Sequence, residues 1–174
     1  MTVWSYLTRS TGIVASVLAV GSIVWGVRFS ARATGNRLRP NWWLDLHNWL
    51  GGLALGFTLA HVIVALIDSD SGIGLLDAVL PGHANDSTGR LLWGLLAMYG
   101  FALVVFTSWP KKRFGRRTWR ALHLVSLPSI VLVGLHAFLF GSDAGSNALR
   151  FATLASVAVM VYPLVLRILG LKRR

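Results

Sequence analysis

The stretch 43-WLDLHNWLGGLALGFTLAHVIVALI-67 decides how the rest of the chain is read. After Asp45 it holds no charged residue, and its length exceeds the roughly 20 apolar residues a helix needs to cross a bilayer core. Two histidines, His47 and His61, stand fourteen residues apart inside it. On a helix that spacing is ~21 Å of rise and leaves the two imidazoles only ~40° apart around the axis. Both therefore lie on one face, toward opposite ends of the span. Gly51, Ala54 and Thr58 fall between them on that face, all small. An ionisable side chain at membrane depth is costly, so it faces the bundle interior and has a task there.

Working outward, a second stretch repeats the arrangement. His123 and His136 lie in the apolar run 118–141. Five such runs are expected as spans: 10–29, 43–67, 91–109, 118–141 and 149–169. In an alternating topology the second and fourth run parallel. His47 can then meet His123 at one depth and His61 can meet His136 at another, giving two bis-histidine sites stacked across the membrane. Histidine is a common axial ligand of haem iron. The small residues Gly51, Ala54 and Thr58 leave room for a macrocycle beside the helix, although small residues also let helices pack closely. One feature resists this pairing. Thirteen residues on a regular helix put His136 ~140° out of phase with His123. Pro128 stands between them, and an irregularity near it is predicted, because proline removes a helical N–H and crowds the preceding turn.

Composition agrees with a membrane bundle. The chain of 174 residues is 55% hydrophobic and only 13% charged, with a mean hydropathy of +0.62. Soluble domains carry about 25% charged residues. The fold class expected is an all-α membrane protein, a five-span helical bundle forming a single domain over 1–174, in contact with lipid. With no cysteine, disulfides, iron–sulfur clusters and covalent haem attachment are excluded. The net charge of +11 could suggest nucleic acid, but its distribution does not. Fourteen of the seventeen Lys and Arg fall in the connectors 28–39 and 110–120 and the tail 167–174, all on one side of a five-span topology. The positive-inside rule makes that side cytoplasmic, with the N-terminus outside and the C-terminus inside. Trp42, Trp43, Trp109 and Trp119 sit at the same boundary and read as an interfacial aromatic belt. Arg120, nearest in sequence to His123, is the residue chosen to pair with a haem propionate. His83, in the outer connector, reads as an ordinary solvated histidine. The first run lacks the basic n-region and cleavage site of a signal peptide.

The paired spacing His47-x13-His61 and His123-x12-His136, with Thr-Ser-Trp-Pro at 107–110 ahead of a basic connector, resembles the ferric reductase-like transmembrane domain. That superfamily includes NADPH oxidases, metalloreductases and the haem-binding subunit of the bacterial methionine sulfoxide reductase system, and the pattern is similar to small actinobacterial members. The likeness spans about Trp43 to Gly141. It implies two haem b groups, held by His47 with His123 and by His61 with His136. It also implies electron flow from the cytoplasm to an outer acceptor, ferric iron or a periplasmic redox partner, in a bacterial plasma membrane.

Two departures stand out: five spans where six are common, and no G-x-G-x-x-G fingerprint or room for a flavin and nicotinamide domain after the last span. A separate donor, a flavoprotein or a membrane quinol, is therefore expected. No nucleophile–base constellation is present, and six-coordinate haems would leave reduction to outer-sphere transfer at the cofactor edge. The competing readings are a transporter using its histidines as a proton relay and a haem-free scaffold. A relay favours carboxylates beside the histidines, and apart from Asp45 the spans hold none.

Overall fold

The computed structural model describes residues 2–30, 42–83, 89–109 and 113–140, with scattered positions beyond 146. All regular structure among them is helical. The helices are α1 (Val3–Ser30), α2 (Trp42–Ile67), α3 (Arg90–Ser108), α4 (Arg116–Leu124) and α5 (Ser126–Phe140). Among the described residues, four segments are long and apolar enough to cross a membrane: Val3–Phe29, Trp42–Ile67, Leu91–Ser108 and Arg116–Phe138, the last combining α4 with most of α5. The second and third keep their expected bounds within a residue, whereas the first starts seven residues earlier than its hydropathy suggested. The expected fifth span, 149–169, lies almost entirely outside the described residues.

Several hydroxyls within the spans bond to the preceding turn of their own helix. Thr11, Ser16, Thr58, Thr107 and Ser129 donate to the carbonyls of Leu7, Gly12, Ala54, Leu103 and Val125. Lipid offers no partner for a free O–H, so local satisfaction is what lets these residues stay in a span.

The helices pair as two hairpins. α1 packs along α2, and α3 packs along α5 and, near its end, α4. Small residues form much of the contact. Ala15, Ala19 and Ser22 recur at helical spacing on the buried face of α1, and Ala54 and Ala65 are buried on α2. Gly100 of α3 lies so close to α5 that an added Cβ would overlap the Ser129 side chain. Large apolar side chains such as Ile13, Val17, Ile63, Phe106 and Val131 point outward. Lipid solvates them as well as a core would, so close packing of small residues, not hydrophobic burial, holds such helices together.

The predicted irregularity of the fourth span falls at Val125, three residues before Pro128. Val125 (φ −59°, ψ −23°) donates its N–H to Leu122 O at 3.1 Å, a three-residue step. Pro128 has no N–H for the carbonyl four residues back and its ring crowds that turn. Ser126 Oγ donates to His123 O at 2.9 Å, and Ser129 N–H restarts the regular ladder on Val125 O. Tightening to three residues per turn advances each residue by ~120° instead of ~100°. The shift carries His136 toward the phase of His123.

In the connector after α2, the buried carboxylate of Asp68 accepts from Thr2 Oγ1, Ser5 Oγ and the Asp70 N–H. Residues 74–80 form tight turns, and Leu75, Leu76, Val79 and Leu80 are exposed on them. Tyr99 Oη donates to Val79 O and ties this connector to α3.

Candidate functional site

The four span histidines meet in twos. The rings of His47 and His123 have centroids 5.8 Å apart at an interplanar angle of 61°, and those of His61 and His136 lie 6.4 Å apart at 84°. Earlier residue meets earlier and later meets later, so α2 runs parallel to α4 and α5. The two pairs are ~21 Å apart along the helices, from the rise over fourteen residues. Among the described residues no three His, Cys, Asp or Glu side chains converge.

What stands behind each ring was not expected from the sequence. His47 Nδ1 lies 2.9 Å from Ser22 O and 3.2 Å from Ser22 Oγ on α1. His61 Nδ1 lies 2.8 Å from Thr8 O. A carbonyl only accepts, so in both rings Nδ1 carries the proton and Nε2 keeps its lone pair. His123 Nδ1 is 3.2 Å from Ser108 Oγ on α3. Glycines admit the rings to these positions. A Cβ on Gly26 would meet His47 Cε1 at 2.9 Å, one on Gly12 would meet His61 Nδ1 at 3.0 Å, and one on Gly94 would meet His136 Cε1 and Nδ1 at 2.9 Å. A sequence signal for this exists. Gly12 to Gly26 and Gly94 to Ser108 are each fourteen residues, repeating the His47–His61 interval on the neighbouring helix of each hairpin.

The other expected site residues are placed as follows. Gly51 packs toward α1, where a Cβ would meet Ser22 Oγ at 3.4 Å. Ala54 is buried in a cluster with Ala19, Ile23 and Ile130, and Thr58 is half-buried with its hydroxyl turned to its own helix. Arg120 is exposed on α4. His83 is not simply solvated: its Nδ1 lies 2.7 Å from Asp77 Oδ1. This hydrogen bond, with a second from the Gly74 N–H, holds the Asp77 carboxyl below the usual carboxylate range.

The aromatic belt divides. Trp42 and Trp109 are exposed, as a belt requires. Trp43 and Trp119 instead turn inward: each is half-buried, and each indole Nε1 is buried with no hydrogen-bond partner among the described residues. An indole N–H is only a donor, and leaving one buried and unmet costs about 1–3 kcal/mol.

Residues 11–134 match the family described as ferric reductase like transmembrane component. The chain belongs to this family. The matched stretch takes in His47, His61 and His123 and ends two residues before His136. No curated protein and no solved structure gives a match. Membership in a ferric reductase-like family points to a multi-pass membrane protein with a redox role.

The histidine geometry can be tested against a metal held between two imidazoles. Metal–imidazole bonds are roughly 2 Å, and a ring nitrogen sits about 1.1 Å from its ring centre, so a linear bis-histidine site needs centroids about 6 Å apart. The observed 5.8 and 6.4 Å bracket that value. Metal-bound histidines almost always donate their other ring N–H to a carbonyl, carboxylate or water. His47 and His61 do so here. The donor set fits haem iron.

Proposed function

We propose that this ferric reductase-like chain is a di-haem b membrane cytochrome that carries electrons across the bilayer. His47 and His123 would hold one haem, and His61 and His136 the other. The observation that supports this most directly is the pair of ring separations, 5.8 and 6.4 Å, with the Nδ1 atoms of His47 and His61 tied back to carbonyls of α1. Bound there, haem would supply a one-electron couple at each of two depths. The protein's part is to fix imidazole orientation, set ligand basicity through the Nδ1 bonds and exclude water from the space between hairpins.

The basic end, with the connectors 28–39 and 110–120, is cytoplasmic by the positive-inside rule. In a bacterial plasma membrane, electrons enter there from a flavoprotein or a membrane quinol. They leave at the opposite face to ferric iron or a periplasmic redox partner. With two histidines holding each haem, transfer to an acceptor would be outer-sphere.

An optical spectrum of the detergent-purified protein, oxidised and dithionite-reduced, with a pyridine haemochrome count, tests this. The expected result is reduced low-spin b-type bands and about two haems per chain. Protein that stays colourless after expression with ample haem overturns it and leaves the proton-relay or scaffold readings.

A further inference from the structure

Trp43 and Trp119 occupy equivalent places in the two halves of the bundle. Each stands four residues, one helical turn, before the histidine at the basic end: Trp43 before His47 on α2, Trp119 before His123 on α4. Side chains on a helix lean toward its N-terminus, so both indoles lie on the basic-end side of that histidine pair. Neither ring is free to seek water. Trp119 stacks on the His123 ring at 5.0 Å and 26°. Trp43 stacks on Trp25 at 4.6 Å and 28°, and Trp25 Nε1 donates to Trp43 O at 2.9 Å. Both indole N–H groups are buried and neither has an acceptor among the described residues. Two such donors, one from each hairpin at the same register, call for a shared ligand more readily than for two separate packing accidents.

We propose that Trp43 and Trp119 are a paired hydrogen-bond donor site for the carboxylates of the haem held between His47 and His123. The inference rests on the di-haem reading and adds residues to it. A macrocycle centred between the two rings carries its propionates on the rim. Ionised carboxylates avoid the bilayer centre, so they point to the basic end, where the two indoles stand. A carboxylate accepts from an indole N–H in a charge-assisted bond, stronger than a neutral one. The exposed Arg116, Arg117 and Arg120 add positive charge at the same end but are not needed as direct partners. Trp43 and Trp119 thus orient the cofactor and hold its charge without a cation inside the span.

The test uses the purified, haem-loaded full chain with Trp43→Phe, Trp119→Phe and the double variant. Trp49→Phe, at an exposed position, is the control. Phenylalanine keeps an aromatic ring and removes the N–H donor together with the pyrrole part of the indole, a loss that the Trp49→Phe control shares. The expected result is two bis-histidine haems per chain in every variant, with the propionate bending band in the resonance Raman spectrum shifted in both single variants and further in the double. Transfer of one of the two haems to apomyoglobin should speed up roughly tenfold or more in the double variant, as expected for loss of bonds to a charged acceptor. Bands and transfer rates that match the Trp49→Phe control overturn the proposal. A wild-type protein with no haem would instead overturn the di-haem reading, so the two failures are distinct. Where the variants do not fold, wild-type protein loaded with haem dimethyl ester decides. One site weakened against native haem supports the proposal, and both sites affected alike, or neither, overturns it.

Discussion

At the scale of single residues, the glycines behind the histidines carry the sharpest consequence. Gly94 is glycine because the His136 ring occupies the place a Cβ would take, at 2.9 Å. Gly94→Val must displace that ring from its present position opposite His61, and overpacking of this kind costs about 1–3 kcal/mol. The expected outcome is a fall from two haems to one by pyridine haemochrome, with the protein still folded. Gly21→Ala is the matched control: its Cβ would meet nothing within 4 Å, so haem content stays and stability shifts by about 1 kcal/mol or less, upward by helix propensity. Asp77 supplies a pH-dependent prediction. Its carboxyl is held below the usual range chiefly by His83 and then by the Gly74 N–H. The stabilisation is present above the ordinary carboxylate pKa and lost as pH falls through the depressed value. His83→Ala should move the Asp77 titration upward, read by carboxyl NMR shifts, and Gly74 amide exchange in the variant should speed up at a correspondingly higher pH.

At the scale of elements, the break between α4 and α5 matters most. Thirteen residues of regular helix would set His136 ~140° away from the face of His123. The three-residue step at Val125 and the missing N–H of Pro128 change that winding. Pro128→Ala restores a donor to the ladder and removes the ring, which favours one continuous helix. It should therefore raise or preserve helicity by circular dichroism while loosening the His61–His136 pair. Loss of one haem with undiminished helicity is the expected combination. Retention of both haems would mean that inter-helix packing, such as the close contact of Gly100 with Ser129, sets the phase without help from the break.

At the scale of the whole molecule, the described helices form two hairpins with the histidines on the second helix of each and their backing groups on the first. The sidedness of that arrangement is open to a direct test, because the chain has no cysteine to remove. Single cysteines at exposed Gly115, at the basic end, and exposed Asp70, at the other, should respond oppositely to an impermeant maleimide on intact cells. Asp70→Cys is expected to label and Gly115→Cys to label only after lysis; the reverse pattern would invert the orientation drawn from the positive-inside rule.

Much of this architecture is legible in the sequence. Residues 43–67 alone announce a span, because lipid leaves the backbone no alternative to helix and hydropathy is a local property. The helical period then puts His47 and His61 on one face, and alternation of spans allows each a partner on the fourth. The need for an irregularity in that span follows from the 13-residue interval, although not its position at Val125. Which groups stand behind the rings depends on tertiary structure. Ser22 and Thr8 on α1 and Ser108 on α3 reach their histidines only because each helix is rotated about its axis by packing against its neighbour, and no local sequence property fixes that rotation. The same rotation separates Trp43 and Trp119 from Trp42 and Trp109, four residues of one type that hydropathy places at one boundary and packing divides between lipid and interior.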